Sequence, residues 1–274
     1  MRTVPTVTVI IPTHNRGTLL ERAVDSVQKQ TYSAIELIVV DDGSVDDTPE
    51  RLAALQRSDP QIVGIRHPYP MGANAARNRG IARANGVFVM CLDDDDALAP
   101  ECIERLVSAY DGRWAFVTSD ETVKKGRDST RWRKKQVVTP DDILYQNGIG
   151  NSALVERARM VAVGAYDELL PACQDYDLWI RLMQRYGSVK VVGEALQIKY
   201  KGHGLPTITG SSRAFKGYWQ VFRKFRALIN RKQRKTRLFH LYRIRTKRMS
   251  LQTARMLLVP ENAKQVLKYY LKRR

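Results

Sequence analysis

Val87-Phe-Val-Met-Cys-Leu-Asp-Asp-Asp-Asp-Ala-Leu-Ala-Pro100 is the stretch that decides how this chain is read. An apolar run of strand character ends in four consecutive carboxylates, Asp93 to Asp96. A proline follows four residues later, where a helix could begin. Four adjacent acids at the end of a buried strand repel one another unless a cation sits among them. A helix N-terminus would favour one or two aspartates as caps and through its macrodipole, but leaves the others unexplained. Clustered charge is costly to bury, so the stretch points to a divalent-metal or other functional role.

Upstream, Val7-Thr-Val-Ile-Ile11 is a short β-rich run ended by Pro12, and Gly17 to Gln30 carries apolar residues at helical spacing. Ile35 to Val40 reads as a second strand, Asp47 to Arg57 as a helix, Ile62 to Arg66 as a third strand and Gly72 to Asn85 as a helix. Downstream, Pro100 to Tyr110 is helical and Trp114 to Ser119 extended. Strands and helices that alternate through short connections predict a mainly parallel, Rossmann-like α/β sheet flanked by helices. Thr13-His14-Asn15, Asp41-Asp42 and Asp93 to Asp96 all fall just past the carboxyl ends of strands. That is the ligand-binding edge of open α/β sheets. Neither GxGxxG after the first strand nor GxxxxGK[ST] occurs, which disfavours a dinucleotide site and a P-loop.

The alternation breaks after Ser119. Lys124 to Lys135 is strongly basic and predicts a loop or hairpin, and Gly148 to Val155 a turn into a strand. Gln174 to Tyr186 is an amphipathic helix with Leu178 and Trp179 toward the core. Val189 to Val192 and Ala195 to Tyr200 are the last strand candidates.

The net charge of +18 is unevenly placed. Residues 1–205 carry 26 Lys and Arg against 27 Asp and Glu, whereas residues 206–274 carry 20 against 1. Two modules are expected: a near-neutral body, 1–205, and a basic amphipathic helical tail, 206–274. Cys91, Cys102 and Cys173 show no CxxC spacing, which fits a reduced, cytosolic compartment. The N-terminus enters a strand almost at once, so no signal peptide is expected.

Five stretches in order resemble a known family: Val7-Thr-Val-Ile-Ile-Pro-Thr-His-Asn15, Val39-Val-Asp-Asp-Gly-Ser44, Gly72-Ala-Asn-Ala-Ala-Arg-Asn-Arg-Gly80, Leu92-Asp-Asp-Asp-Asp96 with Pro100, and Asp175-Tyr-Asp-Leu-Trp-Ile-Arg181. Together they look like a family 2 glycosyltransferase of GT-A fold, over residues 5 to 203. The resemblance implies an inverting transfer of a sugar from a nucleotide sugar, a UDP-sugar foremost, to a glycan hydroxyl. Thr13, Asn15, Asp41 and Asp42 would hold the nucleotide, and a carboxylate suits the imide N–H of uracil. Arg77 would approach the diphosphate, with Asp93 and Asp94 contacting the donor. Asp95 would be the principal ligand of Mn²⁺ or Mg²⁺, which favour hard oxygen donors, although four identical residues leave the register open by one. His203 is a further candidate ligand. Asp175 aligns with the catalytic base, which takes the acceptor proton, while Asn151, Ser152 and Gln174 are candidate acceptor contacts. Gln174 stands where the family usually has Glu, and removes a neighbouring charge that would raise the Asp175 pKa.

Within the tail, Phe215, Tyr218, Trp219, Phe222 and Phe225 fall at helical spacing among lysines and arginines. A basic amphipathic helix with aromatics reads as an anionic-membrane-surface element. This predicts an enzyme peripheral on the cytoplasmic face of the plasma membrane, with a lipid-linked oligosaccharide or lipopolysaccharide precursor as acceptor. Packing of these helices on the body is the plainer alternative. A nucleic-acid-binding protein, which no recognisable motif supports, and a metal-dependent nucleotidyltransferase are the competing functions.

Overall fold

Val7–Thr13 (β1) lies at the centre because every residue in it is buried and its two faces feed two different cores. Val7, Val9 and Ile11 join Leu20, Val24 and Leu52 on one side, and Ile10 joins Ala76 and Ile81 on the other. Burial on both faces is what a continuous apolar run implies. The computed structural model describes residues 4–202, 204, 212–246 and 249–271.

The first sheet runs in the order β3 (Ile62–Arg66), β2 (Ile35–Asp41), β1, β4 (Phe88–Cys91) and β9 (Val155–Glu156), parallel throughout except for β9. Helices α1 (Gly17–Gln28) and α2 (Thr48–Ser58) cover one face, and α3 (Ala73–Arg83) the other. Gly80 lets α3 settle on the sheet, since a Cβ there would stand 2.5 Å from Ile10 Cγ2.

A second sheet differs from the simple alternation. Its order is β5 (Asp96–Leu98), β10 (Val189–Lys201), β6 (Val117–Lys125) and β7 (Asp128–Trp132), with β8 (Val137–Val138) also on β10. Only β10 and β6 pair in parallel. The two strands expected over 189–200 form one strand, with register shifts at Ala195. Such bulges absorb exposed Gly193 and Glu194 without ending the ladder. The basic stretch 124–135 is the β6–β7 hairpin. Helix α4 (Cys102–Ala109) follows β5, α5 (Pro140–Ile143) follows β8, and α6 (Arg157–Ala162) directly follows β9. Helix α7 (Gln174–Tyr186) is anchored by buried Leu178, Trp179, Leu182 and Met183.

The tail forms α8 (Ser212–Lys224), α9 (Arg231–Arg245), α10 (Leu251–Leu257) and α11 (Ala263–Leu271). Its first half packs on the body. Val221 and Phe225 join the core beside Trp179, Lys224 bridges Asp167 and Asp177 at 2.8 and 2.7 Å, and Gln233 bonds Asp141 at 2.7 Å. The charge boundary near residue 206 is therefore not a packing boundary. Helices α10 and α11 close a small cluster with α9 around Phe239, Leu257 and Val266. Among the described residues no helix is long and apolar enough to cross a membrane.

Candidate active site

The parallel register pairs Thr13 with Asp41 and Ile10 with Cys91, so the polar segments that follow β1, β2 and β4 share one edge. There the aspartate run divides by direction. Asp94 turns inward: its Oδ2 accepts from Thr13 Oγ1 at 2.8 Å and its Oδ1 from Arg16 Nη1 at 3.0 Å. Burial pushes its carboxyl up to about 6, against the pull of Arg16. Asp93, Asp95 and Asp96 instead turn together, with one carboxylate oxygen from each lying within 4.8 Å of the others. The carboxylates brought together are thus those of Asp93, Asp95 and Asp96, with Asp94 turned away from them. Three hard oxygen donors so close fit a divalent cation of the Mg²⁺ or Mn²⁺ type.

The acids have cationic neighbours. Arg77 on α3, 4% exposed, places Nη2 2.6 Å from Asp93 Oδ1. Asn151 Nδ2 donates to Asp93 Oδ2 at 2.5 Å and to Asp96 Oδ2 at 3.2 Å, and its Oδ1 accepts from Lys199 Nζ on β10. Burial alone would raise the Asp93 carboxyl, but Arg77 and Lys199 hold it below the usual range. Asp96 goes the other way. Burial pushes it up to about 8, with Lys199 opposing and Asp93 and Asp95 adding repulsion.

Asp175 sits in the first turn of α7, and its Oδ1 is buried without a hydrogen-bond partner among the described residues. Burial pushes its carboxyl up to about 7, with Arg77 opposing and Asp93 adding repulsion. The rise thus owes most to burial, and replacing a neighbouring Glu by Gln174 does not keep Asp175 near the ordinary carboxylate range. A carboxylate poised near neutrality can accept a proton at physiological pH. The same Arg77 charge acts on both Asp93 and Asp175, which ties Asp175 to the acidic edge.

Other expected site residues hold the edge itself. Asn15 takes a positive φ of 54°, and its side-chain oxygen accepts from Val45 N at 2.8 Å, fastening the loop after β2. Asp41 Oδ1 accepts from Ser44 N at 2.9 Å, with Arg66 Nε 3.3 Å from Oδ2. Asp42 Oδ1 accepts from Met71 N at 2.8 Å and pairs with His67 Nδ1 at 2.8 Å, while Oδ2 accepts from Gly72 N at 2.7 Å. Both its oxygens therefore shape the loop leading into α3. Ser152 was expected near an acceptor. It is instead 3% exposed and donates to the Cys91 carbonyl at 2.8 Å, which turns it away from the open edge. Asn151 itself bridges the acids. Gln174, at the start of α7, is largely buried, and His203 lies outside the described residues.

Arg16, His67, Lys199, Glu121 and Lys134 were not singled out by the sequence. The side chains of Lys134 and Glu121 are both 0% exposed and pair at 2.8 Å, and Glu121 Oε2 also lies 3.5 Å from Lys199 Nζ. A chain of polar contacts thus runs from the segment before β8 through Glu121, Lys199 and Asn151 to Asp93. Arg16 follows immediately on Thr13-His14-Asn15, so adjacency to that cluster was an available signal. The partners of Lys199 are distant in sequence and gave none.

Comparison with known proteins identifies the family and the fold. Residues 8–166 match Glycosyl transferase family 2, and residues 128–255 match Glycosyltransferase like family 2, so the likeness continues into the tail. The chain is 33% identical over 273 residues to the putative colanic acid biosynthesis glycosyl transferase WcaA of Escherichia coli, covering 97% of this chain and 98% of that protein. It is 38% identical over 122 residues to the GalNAc(5)-diNAcBac-PP-undecaprenol beta-1,3-glucosyltransferase of Campylobacter jejuni, covering 44% and 40%. Among solved structures, S. aureus TarS in complex with UDP-GlcNAc superposes with a TM-score of 0.69 at 17% identity, covering 96% of this chain and 79% of that one. The mannosyltransferase PcManGT from Pyrobaculum calidifontis, in complex with GDP-Man and Mn²⁺, gives 0.64 at 18% identity, covering 98% and 83%. The chain thus belongs to glycosyl transferase family 2 and has the GT-A fold.

Proposed function

We propose that this protein is an inverting glycosyltransferase that moves a sugar from a nucleotide sugar, a UDP-sugar foremost, to a hydroxyl of a glycan acceptor. Family membership sets the reaction as glycosyl rather than nucleotidyl transfer. The observation that carries the finer reading is the buried Arg77 guanidinium, whose charge acts on both Asp93 of the acidic triad and Asp175. Donor ligands and base are thereby held around one fixed cation. Asp175 takes the proton from the acceptor hydroxyl as that oxygen attacks the anomeric carbon. The bond to the donor phosphate breaks, and its electron pair leaves with the nucleoside diphosphate. A single base on the acceptor side suits a single displacement, and hence inversion.

Asp93, Asp95 and Asp96 would hold Mn²⁺ or Mg²⁺, and the bound ion supplies charge stabilisation to the departing diphosphate. Thr13, Asp41 and Asp42 form the nucleobase end of the edge. Both Asp42 oxygens already accept hydrogen bonds, so an imide N–H would share an oxygen with Met71, Gly72 or His67. The named activities of the E. coli and Campylobacter relatives favour a polysaccharide or lipid-linked precursor as acceptor.

Exposed Trp219, Met256, Leu258, Leu267 and Leu271 stand among the tail's cations, which supports peripheral binding to an anionic membrane surface. Flotation with liposomes containing anionic lipid, but not with neutral ones, is expected. Equal flotation with both would remove the electrostatic part of that reading. For the reaction, UDP-, GDP- and dTDP-sugars are screened with Mn²⁺ for hydrolysis and for thermal stabilisation. A UDP-sugar should give the largest effect, and failure of all three would overturn the assignment.

A further inference from the structure

Away from the acidic edge, a cavity of ≈ 100 Å³ lies where α8 and α9 meet the first turn of α7 and the segment after α5. Tyr145, Asn147, Tyr176, Tyr218, Arg237 and His240 line it, and exposed Gln146 stands at its rim. Arg237 is 5% exposed, yet neither Nη1 nor Nη2 has a hydrogen-bond partner among the described residues. The guanidinium carbon lies 5.0 Å from the centre of the Tyr176 ring and 6.0 Å from that of Phe222. Contacts with ring faces satisfy the π-surface of a guanidinium but leave its N–H fork, which points along its edge, without acceptors. His240 Nε2 is likewise buried and unpartnered.

A buried cation without an acceptor is an unusual thing for a fold to keep. Burial lowers the Arg237 pKa, and the groups that offset this are tyrosines and a cysteine, not carboxylates. Helix α9 has no acid in its length; the nearby carboxylates, Asp141 and Glu261, are held by Gln233 and Lys232. A tetrahedral anion fits the space, since a single water needs only about 10–15 Å³. The planar fork of arginine matches two phosphate oxygens at once.

We propose that this cavity binds a phosphate group through Arg237 Nη1 and Nη2, with His240 and the Tyr218 hydroxyl beside it. Two sources present that chemistry: a phosphate carried on a lipid and free inorganic phosphate. The site shares no residue with the acidic edge and does not depend on the donor reading. Tyr176 follows Asp175 in sequence, however, so an occupant would stiffen the turn that carries the base.

The test is calorimetry on the full chain, with UDP and Mg²⁺ present so that the donor cleft is filled, using inorganic phosphate and octyl phosphate as titrants. One-to-one binding is expected, weakened at least tenfold in Arg237→Gln. Octyl phosphate binding at least tenfold tighter than inorganic phosphate identifies a lipid-borne group, and equal affinities identify the free anion. If neither titrant binds, or if Arg237→Gln binds as the native chain does, the site does not exist. A check on the native chain covers the case in which the variant fails to fold. The His240 ring resonances, assigned with His240→Gln, should shift on saturation with phosphate, and an unmoved ring overturns the proposal.

Discussion

Replacing Asp175 by Asn should do two opposite things at once. The amide cannot take the acceptor proton, and positioned general bases contribute about 10²–10⁴-fold, so kcat should fall by that factor. The same change should stabilise the ligand-free protein at alkaline pH. Burial lifts the Asp175 carboxyl from 3.8 to about 7. At pH 8 the folded chain therefore holds a charge it disfavours by roughly three pKa units, or about 4 kcal/mol. An amide buried without partners gives back about 1–3 kcal/mol, which leaves a net gain of about 1–3 kcal/mol.

The sign follows from the raised pKa. Stability linked to Asp175 is complete below its unfolded value and is lost as pH rises through about 7. The asparagine variant lacks this loss, so its advantage should be present at pH 8 and vanish at pH 4. Urea unfolding at the two pH values measures stability, and release of nucleoside diphosphate measures turnover. For the native enzyme, kcat should rise with pH to a plateau above about 7. Native turnover in the variant would falsify the base assignment. Equal destabilisation at both pH values would show that the carboxylate is not a strained buried charge.

Asp95→Asn should abolish the thermal stabilisation that UDP and Mn²⁺ give together. Asp94→Asn should keep it, because that side chain faces Thr13 and Arg16 rather than the other three carboxylates; the reverse pattern would place the ligands one residue along. Gly150 has φ +96°, and a Cβ on it would stand 2.1 Å from Glu121 Oε1. Gly150→Ala should therefore cost about 2–4 kcal/mol in urea unfolding, with an unchanged midpoint refuting the close approach. A Cβ at Gly217 would meet the Ala172 carbonyl oxygen at 2.4 Å. Gly217→Val should loosen α8 and speed proteolysis within the tail, and native protease resistance would argue against α8 docking on the body.

The parts of the fold legible in the sequence are those whose signal is local. β1, β2 and β4 are apolar runs buried on both faces, and α7 has a clear apolar stripe. β5 was hidden because a three-residue strand at Asp96 gains its definition only by pairing with Lys199, a hundred positions away. β10 looked like two strands because Gly193 and Glu194 interrupt its pattern, and only pairing with β6 carries it through the bulges. At the site, the chemistry of the aspartate run was readable, but not which carboxylate faces inward. That choice is made by Thr13 and Arg16, 81 and 78 positions from Asp94. Lys199 was likewise a lysine among others in β10 until Asn151 and Glu121 met it.

These cations change what the four aspartates mean. Read alone, the run needs a metal to be tolerated at all. In the fold, Arg16 lies against Asp94 and Asp95, Arg77 against Asp93, and Lys199 acts on Asp93 and Asp96. Charge at this edge is largely offset before any divalent ion arrives, so the cation is not required to hold the chain together. The affinity of an ion for the protein alone would be correspondingly moderate, since it would meet three fixed positive charges as well as its ligands. A donor diphosphate bound at this edge would add oxygens and negative charge, and ion and donor would then each strengthen the other's binding. Asp96 shows how close the balance is. Held up to about 8 by burial and by Asp93 and Asp95, it is largely protonated near neutral pH. A divalent ion would draw it into the charged state and displace its proton. An edge balanced in this way would assemble its full set of ligands only with the substrate present, with Asp93, Asp95 and Asp96 holding the ion.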